Sequence, residues 1–152
     1  MRNGACNTSV GFRGEFFFQC HGPDGQLKWG VLEKNMVVNA GLNKILDILL
    51  VGSAAVATWY VGLASSSMTV ASGDTMASHA GWTEAVPYAT AARATFVGAR
   101  TNQLVSNSAS TISHAINTAA TIGGAFLCSD STKEGTVGTL LCAVAFTGGE
   151  KA

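Results

Sequence analysis

Two long tracts of this chain, Ile48 to Gly73 and Thr101 to Ser129, contain no Asp, Glu, Lys or Arg. Charged side chains make up only 12% of the 152 residues, against about 25% in an ordinary soluble domain. A domain of this size leaves much of its surface outside its own core. Neutral surface rich in Ala, Ser, Thr and Gly is therefore expected to be covered by other subunits, because obligate interfaces lose charge at their centres. The expectation is an assembly protein and not an enzyme.

The length suits one domain. Nine basic residues balance nine acidic ones, and the basic residues are scattered, so no electrostatic footprint for a phosphate backbone forms and no nucleic-acid partner is expected. Ile48 to Ala64 is apolar enough to suggest a bilayer crossing, which takes roughly 20 residues. Gly52, Ser53 and Gly62 interrupt it, and no basic cluster flanks it, so no membrane span is expected. Arg2 is followed by Asn3, Gly4, Asn7, Thr8 and Ser9, which break any apolar stretch of the length a secretion signal requires, so export is not indicated. Met1 to Arg13, with Gly4 and Gly11 as pivots, reads as a flexible arm ahead of a single β-rich domain over residues 14–152.

Cys6, Cys20, Cys128 and Cys142 have no CxxC spacing, and the chain is not cysteine-dense. Reduced, buried thiols are expected. Cys128 and Cys142 lie in two apolar strand candidates around the polar stretch Ser129 to Thr136, so a disulfide between them stays open as the alternative. His21 follows Cys20 directly and no second ligand pair has workable spacing, which argues against zinc. No cofactor is expected.

Glu15 to His21 and Leu27 to Val31 flank Gly22-Pro23-Asp24-Gly25, the pattern of a β-hairpin. Leu42, Ile45, Leu46 and Leu49 recur at helical spacing, with Asn39 placed to cap and Gly52 to stop a helix over about 39–51. Beyond Thr58 the chain breaks into short β-like runs: Thr58 to Leu63, Ala92 to Gly98, Gln103 to Val105, Thr111 to Ile116, Ile122 to Cys128 and Gly138 to Phe146. A mainly β fold follows, a β-sandwich or jelly-roll-like barrel with one helix that plugs or flanks the sheet.

Chemistry is sought first at Asp74, His79 and Glu84, whose side chains suit metal or acid–base work. The stronger expectation is structural: Asp74 caps the following turn, Thr75 to His79 make a helical turn, and Trp82 anchors the loop in the core. His114 reads as a hydrogen-bonded strand residue. There is no G-x-S-x-G motif, no phosphate loop and no H-E-x-x-H helix. The aromatic residues Phe12, Phe16, Phe18, Trp59, Tyr60, Trp82 and Tyr88 are the candidate contact residues. A carbohydrate- or receptor-binding module built on Trp59, Tyr60, Trp82 and Tyr88 is the rival expectation, and a small hydrolase using Asp74, His79 and Glu84 is the weakest.

Asn35-Met36-Val37-Val38-Asn39-Ala40-Gly41-Leu42-Asn43, Ile45-Leu46-Asp47, Trp59-Tyr60-Val61-Gly62-Leu63 and Gly73-Asp74-Thr75-Met76-Ala77-Ser78-His79-Ala80-Gly81-Trp82 together resemble small structural proteins of tailed bacteriophages. The likeness runs from the N-terminal Gly-Phe and the Pro-Asp-Gly hairpin through Gly124-Ala125-Phe126-Leu127. It implies a virion component assembled in the host bacterial cytoplasm. The expected role is a capsid decoration or cement protein that contacts the major capsid protein and self-associates as a dimer or trimer. A tail or fibre component is the alternative, and no enzymatic residues come with the resemblance. Chains of that group continue past the equivalent of Ala143 to Gly149 into a further Gly-Asp-Thr strand, so the resemblance implies an edge strand that is missing or supplied by a neighbour.

Overall fold

The computed structural model describes residues 11–65, 67–149 and 151. Most of the expected arm lies outside these residues; residues 11–13 run without regular structure into the first strand.

The hairpin forms as the turn chemistry requires. Strands β1 (Glu15–His21) and β2 (Leu27–Lys34) pair antiparallel. Gly25 takes φ of +76° in the turn, and the Asp24 carboxylate accepts from the Gln26 N–H at 3.0 Å, an Asx turn. Alternation then sorts the side chains. Phe16, Phe18, Cys20, Trp29, Val31 and Glu33 turn inward, while the cross-strand pair Phe17 and Leu32 stays exposed on the outer face.

The main sheet runs in the order β3 (Met36–Val37), β10 (Leu140–Ala145), β9 (Ile122–Cys128), β4 (Trp59–Ser65) and β5 (Glu84–Ala85). Strand β6 (Ala94–Phe96) shares the β5 edge of β4. A small ribbon, β7 (Ala99–Thr101) with β8 (Leu104–Ser106), turns at Asn102 in the left-handed region. All these pairings are antiparallel.

One face of the main sheet carries Ala64, Phe126, Cys128, Leu140 and Ala143, covered by Val38, Met68, Met76 and Trp82 from the helix start and the loop that follows β4. The other face carries Val61, Leu63, Ala125, Leu127, Cys142 and Val144, with the hairpin's Phe16 and Phe18 laid against it. Glu33 is buried there and accepts from the backbone N–H and hydroxyl of Thr147, both at 2.7 Å, tying the hairpin to the end of the sheet. The fold is thus sandwich-like, and among the described residues the sheets do not close into a barrel, the other expectation.

The helical segment keeps the expected bounds of about 39–51, but regular helix α1 covers only Asn39–Leu46 and its cap differs. Val38 occupies the N-cap without a side-chain bond, and Asn39 is already helical, its N–H donating to the Ser72 carbonyl at 2.8 Å. The helix flanks β10 through Gly41, where any Cβ would collide with the Leu141 backbone. It continues as a wider π-type turn, Asp47–Val51, which Gly52 ends at φ of +79°.

Thr111 to Ile116 is not a strand. Ile112 and His114 are half-buried while their neighbours are exposed, so the alternation is real, but this extended segment docks by side chains and, among the described residues, makes a single bridge, Tyr88–Ile116.

Cys128 and Cys142 are free thiols, which corrects the disulfide alternative. Cys128 belongs to one face of the sheet and Cys142 to the other, so the sheet itself separates the sulfurs. Burial pushes Cys142 up to about 12 and also raises Cys128, which suppresses the reactive thiolate. Both are expected to resist a thiol reagent until the protein unfolds, while half-buried Cys20 reacts in the native state. The urea midpoint is expected to be the same with and without reductant.

Candidate interaction surface

The segment first suspected of chemistry is built as a buttress. The Asp74 carboxylate accepts from the Ala71 N–H and the Trp82 indole N–H, each at 3.0 Å. It thus closes the preceding turn, where the sequence suggested the following one. Thr75 and Ser78 exchange backbone hydrogen bonds across a tight turn, which replaces the expected helical turn. The His79 ring stacks on Trp82 at 3.8 Å, with its Nδ1 2.9 Å from the Trp82 carbonyl. Trp82 anchors the loop against Phe126, as expected.

Glu84 is engaged elsewhere. Arg93 is almost fully buried and grips the Glu84 carboxylate at both oxygens, Nε to Oε1 at 2.9 Å and Nη2 to Oε2 at 2.7 Å. The same guanidinium donates to the carbonyls of Asp130 and Gly135 at 2.9 and 3.1 Å, and lies 5.2 Å from the centre of the Phe126 ring. The Glu134 N–H completes the set by donating to Glu84 at 2.6 Å. Burial opposes the charge on Arg93, but the Glu84 hydrogen bonds, with Glu84 and Asp130 as neighbouring charges, hold its pKa above the ordinary value. This pair locks the β9–β10 connection onto the edge of β4. Sequence reasoning missed it, because a lone arginine in Ala91-Ala92-Arg93-Ala94 resembles a solvated side chain.

A cavity of about 190 Å³ lies beside this pair, lined by His79, Trp82, Glu84, Arg93 and Glu134 among others. The polar groups of Glu84 and Arg93 that border it already have partners within the protein. Asp74, His79 and Glu84 therefore do not assemble into the acid–base or metal cluster considered from sequence, and among the described residues no three His, Cys, Asp or Glu side chains gather as metal ligands.

The candidate aromatic contact residues divide. Trp82 and Tyr88 are 4% and 2% exposed and offer a partner no surface in this conformation. Phe16 and Phe18 are packed under the hairpin. Phe12 is exposed, and Trp59 and Tyr60 are half-buried. Adjacent residues of a strand point to opposite faces, so Trp59 and Tyr60 do not form one stacking platform. The aromatic sugar site weighed from sequence is not assembled here.

Tyr88 meets His114 at 4.6 Å between ring centres, and the Lys133 ammonium sits 4.1 Å over the Tyr88 ring while donating to its carbonyl at 2.7 Å. Burial, then the charge on Lys133, holds the His114 pKa below its ordinary value. An unfolded histidine titrates near about 6.5, so the docked neutral ring contributes its full stability above that pH. The contribution falls as pH drops through about 6.5 toward the lower folded value. Acidification from about pH 7 to about pH 5 is expected to lower the urea midpoint more in the wild type than in His114→Asn.

What the surface does offer is aliphatic. Leu49, Leu50 and Val51, at the end of the helical segment, are 66%, 79% and 73% exposed, and exposed Leu46 adjoins them one turn back. Val97, Leu104 and Val105 stand exposed around the β7–β8 ribbon. Between that ribbon and the start of β4 lies an open cleft of about 440 Å³, lined by Trp59, Thr95, Phe96, Val97, Gly98 and Val105 among others, with no charged residue in its walls among the described residues. No helix is long and apolar enough to cross a membrane among the described residues.

Comparison with family profiles, with curated proteins and with solved structures finds no match to this chain.

Proposed function

We propose that this protein is a structural component of a tailed-phage particle, laid on the shell as a decoration or cement protein that bridges the major capsid protein and its own copies. The observation that supports this reading is the exposed row Leu46, Leu49, Leu50 and Val51, most of it within a charge-free tract. Such a row is costly in water. Covering one Leu or Val side chain returns about 1.5–3 kcal/mol, so this surface gains most from a neighbour. Repeated across many copies attached at several points, modest contacts sum to firm retention. A tail or tail-fibre subunit would use the same surface at lower copy number.

The test is to purify particles from the lysate of a host carrying this gene and to count copies by quantitative mass spectrometry against the major capsid protein. A ratio approaching that of the capsid protein is expected. A small fixed number moves the protein to the tail, and absence from particles overturns the reading.

A further inference from the structure

The chain carries a convex apolar feature and a concave one within a few residues of each other, and this pairing bears on how copies join. The convex feature is the end of the π-type turn. Leu49, Leu50 and Val51 project there, and the turn is closed by the Ser53 N–H donating to the Asp47 carbonyl at 3.0 Å and by Lys44 Nζ donating to the Ala54 carbonyl at 3.1 Å. The concave feature is the neutral cleft walled by Trp59, Phe96, Val97 and Val105. Gly98 keeps its floor open, because a Cβ there would stand 2.7 Å from both Phe96 and Val105 side-chain carbons. The projecting side chains do not fill this cleft in their own molecule, since all three remain mostly exposed.

The rims match in charge. Exposed Asp47 begins the projecting turn, and exposed Arg100 lies on β7, directly opposite cleft-lining Val105 on β8. An aliphatic knob beside an acid faces a neutral apolar socket beside a base. The chain as a whole has zero formal net charge, so copies approach without overall repulsion.

We infer that copies of this protein join head to tail, the Leu49-Leu50-Val51 knob of one seated in the Trp59/Phe96/Val97/Val105 socket of the next, with Asp47 and Arg100 paired at the rim. This rests on the reading above that the protein self-associates, and it specifies how. A head-to-tail contact of this kind is heterologous, and its repetition closes a ring, such as a trimer, or extends a row. The apolar seat supplies the affinity, while the exposed rim pair sets orientation and adds little energy.

Sedimentation velocity on the purified full chain tests this with Leu50→Asp and Val97→Asp. Both sites are exposed, so thermal melting of each variant should match the wild type. The wild type is expected to form concentration-dependent oligomers, and each variant alone to sediment as a monomer. An equimolar mixture of the two is expected to form a 1:1 heterodimer, because one intact knob and one intact socket remain. Three results overturn the inference: a mixture that stays monomeric, oligomerisation of Val97→Asp with loss only in Leu50→Asp, or a wild type indifferent to both changes. In these three cases the wild type still associates, so self-association stands and only the junction is wrong. A monomeric wild type overturns the junction and self-association together, and leaves the copy count in particles to decide the virion reading.

Discussion

Arg93→Met is expected to cost about 3–5 kcal/mol of folding stability, the loss that follows when one partner of a buried ion pair is removed. The reason lies in what remains. Glu84 is left with an almost fully buried carboxylate that has lost both guanidinium donors and keeps the Glu134 N–H. The carbonyls of Asp130 and Gly135 lose their donor at the same time, and an orphaned buried polar group costs about 1–3 kcal/mol. The double variant Glu84→Leu with Arg93→Met is expected to recover much of this, because no unpaired charge is then buried. Urea denaturation of the single and double variants, monitored by tryptophan fluorescence, measures both. If Arg93→Met shifts stability by less than about 1 kcal/mol, the pair is not the lock described here.

Phe126→Ala is expected to cost about 3–5 kcal/mol, the usual penalty for emptying a fully buried aromatic site. Phe126 is completely buried and packs against Trp82 at 4.9 Å and under Arg93. Its ring also lies over Gly62, its register partner on β4, closely enough that any Cβ on Gly62 would collide with it. The two positions are therefore coupled. Gly62→Ala alone is expected to destabilise by about 1–3 kcal/mol through overpacking. In the Phe126→Ala background the same methyl enters vacated space and should be nearly neutral. Additive losses in the double variant would show that ring and glycine do not share the space assigned to them.

Much of this architecture was legible because local chemistry and tertiary packing agree. Gly22-Pro23-Asp24-Gly25 between two alternating runs became the hairpin, and Ile122 to Cys128 became the central strand β9 with those bounds. The helix was legible in its extent but not in its exposure. Its apolar repeat marks a stripe, but the contact with β10 is made by Gly41, while Leu46 and Leu49 face outward. Periodicity reports an apolar face and not what covers it. Thr111 to Ile116 shows the converse, since an alternating run finds a side-chain surface and not a ladder. The Arg93 lock was invisible for a different reason: its partners are Glu84 and the Ser129 to Thr136 connection, which only the folded sheet brings together.

The charge-free tracts also resolve into two causes. Trp59–Ser65 and Ile122–Cys128 are adjoining inner strands of the main sheet, and their neutrality is explained by burial within the chain. Residues 67–73 then send Met68 and Val70 into the core, with exposed residues between and after them, which leaves residues 48–58 and 101–121 as the long, largely exposed stretches. Only these segments ask for a neighbour, and they include the projecting turn and much of the β7–β8 ribbon that borders the socket.

Electron cryomicroscopy of the assembled particle addresses that most directly. Residues 48–58 and 101–121 should be found covered by adjacent molecules, with Leu49, Leu50 and Val51 out of contact with solvent. A map in which both segments face open water, while the protein is held through other surfaces, would contradict the account.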